Sequence, residues 1–314
     1  MSGSVLEAVP NFSEGRDLDL VRAIVSAAAG AGADILDWSA DPDHNRSVVT
    51  FVGAPAVVER AAVAAARIAI ERIDLRRHRG VHPRIGALDV LPFVPLVGLT
   101  MEDARRSARN VGQILAEDVG IPVYFYGEAS DPPGRRLAEL RRGGFEALRE
   151  AWPPERAPDL LPPEWPHAGA HPTAGATCVG ARPVLLAWNV CLTGITLPQA
   201  SSIAAAIRER DGGFPGLRAL AFALPSRGLL QVSMNLEDPQ RVTPLAVFER
   251  IEALAATYGG HVVETEVIGM VPDELVFPAA AQRLSLSEAA GARLLSRRLL
   301  EHVALRNESA NPRK

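Results

Sequence analysis

Residues Arg76–Asp89 read Arg-Arg-His-Arg-Gly-Val-His-Pro-Arg-Ile-Gly-Ala-Leu-Asp, placing two histidines and four arginines between a helical run and a strand-like run. A segment needed only to connect would not carry so many titratable groups. Pro83 biases His82 away from helix, and Gly80 and Gly86 allow a tight turn or a close backbone approach. The His82 imidazole is therefore expected to project from a loop held between rigid elements, where catalytic groups usually sit. An imidazole that titrates near neutrality suits general acid–base work. The plain alternative is a solvated histidine in an arginine-rich surface loop. His78 and His82 share the four-residue spacing of helical zinc pairs. Gly80 and Pro83 oppose helix there, however, and no His-Glu-x-x-His pattern accompanies them.

Composition limits the chemistry further. A chain of 314 residues suggests two domains, and 47% apolar residues is ordinary for a folded globular protein. A net charge of −4 gives no footprint for nucleic acid. Cys178 and Cys191 are too few for a disulfide scaffold, and the N-terminus does not read as a signal peptide. Apolar stretches are interrupted by Arg, Asp, Pro or Gly, so no membrane span is expected. These features predict a cytoplasmic protein. The only lysine is Lys314, which disfavours both a pyridoxal phosphate Schiff base and a Walker A site for ATP. Anionic substrates must then be held by arginine, backbone amides or helix N-termini, and the planar guanidinium suits carboxylates.

The elements around the loop follow from periodicity. Val5–Pro10 reads as a strand, Asn11–Gly15 as a polar turn, Leu18–Ala29 as a helix ended by Gly30 and Gly32, and Ala33–Trp38 and Arg46–Gly53 as strands. The Ala-rich run Pro55–Ile73 is a helix that delivers the chain to His82. Ala87–Val97 is a strand in which Pro92 and Pro95 predict an edge or bulge. Thr100 caps a helix to about Asp118, Ile121–Tyr126 is a strand, and Arg135–Trp152 reads as helix broken at Gly143-Gly144. Pro153–Thr173 reads as a proline-rich interdomain linker or functional loop. Beyond Gly175 the order strand–helix–strand–strand–helix–strand recurs over Val184–Ile268, as it did over Val5–Val97. The fold class expected is α/β (α+β), with two ferredoxin-like βαββαβ subdomains at 1–177 and 178–305. Leu284–Val303 reads as a terminal helix and 306–314 as a disordered tail.

Several blocks lie in the order of one known family. Val9-Pro-Asn-Phe-Ser-Glu-Gly15, Asn45-Arg46, Thr50-Phe-Val-Gly53, His82-Pro-Arg-x-Gly-Ala-Leu-Asp89 and Val123-Tyr-x-Tyr-Gly-Glu128 resemble the formiminotransferase family. So do Gly175-Ala-Thr177, Gly180-Ala-Arg182, Asn189, Gln231-Val-Ser and Asn235-Leu. The resemblance implies transfer of a formimino group from N-formimino-L-glutamate to N5 of tetrahydrofolate, releasing glutamate, in histidine degradation. It implies facing sheets with helices outside, folate between the subdomains, and a homodimer. No metal, pyridoxal phosphate or ATP is expected, and no cyclodeaminase domain follows within this chain.

The same resemblance makes His82 the catalytic residue and ends the folate-binding segment at Gly175, Ala176 and Thr177, with Pro172 and Arg182 beside it. Arg46, Arg84 and Arg182 are the forks expected for substrate carboxylates. Asn11, Glu14, Asn45 and Glu128 are expected partners for the amidine and pterin, though ordinary turn bonding would also explain them. Some positions depart from the family pattern. Val81 stands where an acidic residue often precedes the histidine, so a carboxylate partner would come from Asp89 or Glu128. Ser39 replaces an acidic residue, and His44 is nearby. The readings that compete are formyl transfer between 5-formyltetrahydrofolate and glutamate, a non-catalytic folate-binding module, and a metal-dependent hydrolase using His78, His82, His167 and His171.

Overall fold

The computed structural model describes residues 3–237, 241–271, 273–284 and 286. Its first unit runs β1 (Leu6–Ala8), β2 (Asn11–Phe12), α1 (Leu18–Gly30), β3 (Asp34–Asp41), β4 (Arg46–Gly53), α2 (Pro55–Arg72) and β5 (Leu88–Pro95). The chain continues through α3 (Met101–Ile114), β6 (Val123–Gly127), α4 (Leu137–Leu140), α5 (Gly144–Leu148) and β7 (Thr177–Ala181). The second unit is β8 (Leu186–Thr193), α6 (Leu197–Ile207), β9 (Leu217–Leu224), β10 (Leu229–Leu236), α7 (Pro244–Thr257) and β11 (His261–Ile268), followed by α8 (Asp273–Leu284).

Both units have the same topology. In the second sheet the order is β11-β8-β10-β9, all antiparallel. In the first, β1 and β2 act as one interrupted strand between β4 and β5, with β3 outside β4. Each is the ferredoxin-like arrangement expected from the βαββαβ order. The first sheet is extended by β7 and β6, which add parallel to β5. Because β7 begins at Thr177, the expected boundary after that residue falls inside a strand of the first sheet.

Local chemistry accounts for the elements. The Asp17 side chain accepts the Asp19 and Leu20 amides and caps α1, and Thr100 and Asp103 form a reciprocal capping box on α3. Alanines of α2 at 61, 62, 65, 66 and 69 are buried, so this helix lies close against the sheet. Leu6, Phe12, Phe51, Leu91 and Phe93 form the core beneath α1, α2 and α3. In the second unit Trp188, Val190, Val232 and Met234 pack under α6 and α7. Intervening residues Asn189, Gln231 and Phe222 therefore face away from those helices, by the two-residue strand period.

Three expectations are corrected. Asn11 and Phe12 are not part of a turn but pair with β4 and β5. Of the edge or bulge expected for β5, the edge is wrong, since β5 is central, while its pairing with β2 does shift register between Asn11 and Phe12; Pro92 lies opposite the break between β1 and β2, where the Val9 amide reaches its carbonyl (3.3 Å). Its missing N–H therefore costs no ladder bond. Helix in 135–152 comes in two pieces on either side of Gly143, as expected, though α4 and α5 are short. The proline-rich stretch is no interdomain linker, because Leu160 pairs with Val123 and Ala170 is buried with Tyr124, Tyr126 and Leu148. Apolar side chains at these spacings cover the sheet face that the helices leave open. Most of the expected helix Leu284–Val303, and all of 306–314, lie outside the described residues.

Candidate active site

The loop after α2 wraps around residues 43–46 and is pinned there by its backbone. The Val81 amide donates to the Asp43 carbonyl (3.2 Å), and a Cβ on Gly80 would stand 2.1 Å from the His44 carbonyl oxygen. His78 is buried; its Nε2–H donates to the Asn45 carbonyl (2.8 Å) and its Nδ1 accepts from Arg84 Nε (3.0 Å). Burial lowers the His78 pKa below the ordinary imidazole value. Arg84 then closes its fork on Glu146 at 2.8 and 2.9 Å, which holds that carboxyl at about 2. His78 and Arg84 thus brace the loop from α2 to α5.

His82 stands beyond this brace, partly buried. Its Nδ1–H donates to the Pro83 carbonyl (2.8 Å), leaving Nε2 as the acceptor. Burial, followed by the charges of Arg46 and Arg141, pushes its pKa well below the ordinary value. The imidazole is therefore neutral at physiological pH. Phe222 of the second sheet stacks on it, with centroids 5.8 Å apart and planes at 30°. His44 meets both rings edge-on, and its Nε2–H donates to Gln231 Oε1 (2.8 Å). Gln231 and Phe222 are partners in the β10–β9 register, so adjacent strands present them side by side. Sheets from both units thus meet at His82.

A buried ionic cluster acts electrostatically on the same histidine. Asp89 accepts from Arg46 Nη1 (2.7 Å), from Arg141 Nη2 and from the Ile85 amide (2.8 Å). Burial would raise its pKa, but the two guanidiniums outweigh that and hold it well below the carboxylate range. Burial also lowers Arg46 to about 10. Asn11 Oδ1 accepts from Arg46 Nε and Nη2 at 3.2 and 2.9 Å.

Other expected residues are placed as follows. Glu14 Oε1 accepts the amides of Gly15, Arg16 and Asp17, and Asn45, at φ 47°, accepts the Gly15 amide. Both are engaged in turn geometry around the loop. Glu128 is partly exposed beyond β6, its amide on the Ala181 carbonyl. Pro172 is exposed, whereas Gly175, Ala176 and Thr177 are buried behind the histidine loop, the Ala176 amide donating to Ile85. Gly175 has φ 75°, and a Cβ there would lie 1.9 Å from the Ile85 oxygen. Arg182 Nη1 donates to the Pro183 carbonyl (2.9 Å). Among the described residues, no three His, Cys, Asp or Glu side chains gather as a metal-ligand set.

Residues 5–182 match the formiminotransferase domain, N-terminal subdomain, and residues 187–290 match the formiminotransferase domain. The chain belongs to the formiminotransferase family. It is 40% identical over 305 residues to the glutamate formimidoyltransferase of Thermoplasma acidophilum, covering 94% of this chain and 97% of that protein. Identity to the glutamate formimidoyltransferase of Streptococcus pyogenes serotype M1 is 37% over 290 residues, 90% of this chain and 94% of the other. The formimidoyltransferase-cyclodeaminase of Sus scrofa is 42% identical over 290 residues, which is 88% of this chain and 52% of that protein. The expected family is therefore the one found.

Sequence reasoning about this formiminotransferase missed Phe222, Arg141 and Glu146. Phe222 is one of several apolar residues in an ordinary strand pattern. Arg141 had a usable signal: it precedes Gly143-Gly144, and both glycines have positive φ (76° and 66°), a turn that brings this segment back toward Arg84.

Proposed function

We propose that this formiminotransferase moves the formimino group of N-formimino-L-glutamate to N5 of tetrahydrofolate, with His82 as general acid and base. The observation that carries the reading is the neutral His82 imidazole, its Nδ1–H held by Pro83 and its Nε2 left as acceptor, where the two sheets meet. In this reading Nε2 takes the proton from N5 as the N5–carbon bond forms at the amidine. It returns that proton to the glutamate nitrogen as the old carbon–nitrogen bond breaks, so atoms and charge balance. Such proton transfer is typically worth ~10²–10⁴ in rate.

Folate supplies the accepting nitrogen. A flat polar ring is proposed to bind near Phe222 and His82, whose aromatic rings stand together where the two sheets meet. Pro172, Gly175–Thr177 and Arg182 are proposed as the folate segment, and Asn11, Glu14, Asn45, Arg46, Arg84 and Glu128 as the donor's surroundings. The reading needs no metal, pyridoxal phosphate or ATP, and takes the protein to be a cytoplasmic homodimer. Among the described residues, no helix is long and apolar enough to cross a membrane.

Purified protein would be assayed with tetrahydrofolate and either formiminoglutamate or formylglutamate, converting product to the absorbing methenyl form with acid. Turnover with formiminoglutamate, lost by about 10²–10⁴ in His82→Ala with an unchanged thermal midpoint, is expected. Turnover only with the formyl donor would move the activity to formyl exchange. Undiminished turnover in His82→Ala would remove the mechanism.

A further inference from the structure

Three arginines lie around the histidine loop, and their guanidiniums are not equally engaged. Arg84 is closed on Glu146 and His78. Arg46 has three of its nitrogens on Asp89 and Asn11. Among the described residues the Arg141 guanidinium bonds only Asp89, and its Nε is enclosed without a hydrogen-bond partner, just 12% of the side chain remaining exposed.

The charges do not cancel. Arg46 and Arg141 share the single carboxylate of Asp89, leaving one positive charge over in a buried cluster. The neighbouring titratable groups cannot absorb it: burial keeps the Cys178 thiol and the Tyr126 hydroxyl protonated, and His82 is neutral. An uncompensated buried cation is costly. A chain gains from keeping one where an arriving anion completes the cluster and accepts a charge-assisted hydrogen bond from the remaining nitrogen.

We propose that Arg141 is the carboxylate-binding residue for the donor, Asp89 fixing its guanidinium through Nη2 so that the remaining Nη1 receives the amino-acid carboxylate beside His82. This rests on the formimino-transfer reading above for the identity of the donor, but the seat itself requires only a small dicarboxylate. Asp89 has a second role in it. By holding Arg46 and Arg141 together it keeps the receiving fork rigid, so that little side-chain freedom is lost when the anion binds. The arriving charge also weakens the electrostatic penalty on a protonated His82, so donor binding readies the imidazole to accept the N5 proton.

The test uses glutarate, a dicarboxylate with no transferable group, and the transfer assay, on the full chain and on Arg141→Gln and Arg141→Lys. Calorimetry should show glutarate binding weakened about 10–100-fold in Arg141→Gln, the range for loss of hydrogen bonds to a charged group. Arg141→Lys, which keeps the charge but not the fork, should lie between. In kinetics the donor KM should rise by a similar factor while the tetrahydrofolate KM stays unchanged. The kcat/KM profile of Arg141→Gln should have its acid limb moved upward, since one cation near His82 is gone. Glutarate binding equal to wild type in both variants would overturn the proposal, as would equal rises in the two KM values. If Arg141→Gln does not fold, Arg141→Lys alone decides, because wild-type glutarate affinity without the guanidinium would overturn the seat. Glutarate binding that depends on Arg141, in a protein that transfers nothing from formiminoglutamate, would keep the seat and remove the functional reading instead.

Discussion

Phe222, on the second sheet, stacks on His82, in the first unit's loop, at 5.8 Å and 30°. The histidine is thereby oriented by a strand that belongs to the other half of the molecule. Phe222→Ala should remove the stack and free the imidazole to rotate. Aromatic pairs contribute about 0.5–1.5 kcal/mol beyond their burial, so a fall in kcat of roughly 2- to 12-fold is expected, with little change in thermal midpoint. A variant with wild-type kcat would show that the ring only fills space.

The pKa of His82 is lowered by burial and by Arg46 and Arg141, and that of His78 chiefly by burial. Two pH effects follow, with definite signs. For activity, kcat/KM should stay level as pH falls from 7.5 past 6.5, declining only below the ordinary imidazole range. For stability, the unfolded chain takes up protons near pH 6.5 while the folded histidines stay neutral. Stability is therefore fully present above about 6.5 and declines as pH falls toward the folded pKa values. Thermal midpoints from pH 8 to 5 would check this; a midpoint that rises on acidification would contradict it.

Among the described residues, Asp89 is the only carboxylate between Arg46 and Arg141 in their cluster. Asp89→Asn would leave two guanidiniums buried without a counter-charge. Removing one partner of such a buried set costs about 3–5 kcal/mol, which urea unfolding would read as a lower midpoint at unchanged slope. A loss under ~1 kcal/mol would mean that water already compensates these charges.

His44 and Gln231 are 187 residues apart and joined by a buried hydrogen bond of 2.8 Å. Gln231→Leu should cost about 1–3 kcal/mol, because the His44 Nε2–H is left without an acceptor. His44→Phe should cost less in the Gln231→Leu background than in the wild type. Strict additivity in that double-mutant cycle would show that the two side chains do not support one another.

Much of the site was legible because its signals are local. His82-Pro83, Gly80 and Gly86 force a loop through backbone sterics within a few residues, and the apolar, β-branched runs Val48–Val52 and Val90–Val94 mark strands whatever they pair with. The repeated βαββαβ order was readable for the same reason, and so was the family, through short blocks such as His82–Asp89. The corrections concern partners instead. Pro92 suggests an edge when viewed alone, since a missing N–H disfavours a central strand; it is tolerated because β1 and β2 break opposite it. Leu160 and Ala170 look like linker until the sheet is there to receive them, Leu160 against the helix-covered core and Ala170 on the opposite face with Tyr124 and Tyr126.

The residues of this chain determined by themselves most of the helices and strands, that His82 stands in a loop, and that Lys314 is the only lysine. Propensity, capping and backbone sterics act over a few residues and need no distant partner. Only the tertiary structure decided that Phe222 covers His82, that Gln231 binds His44, and that Arg141 joins Arg46 on one buried carboxylate. Those contacts join residues that are far apart in the sequence. They form only when two sheets are brought face to face, and burial then makes each unpaired charge and each donor count.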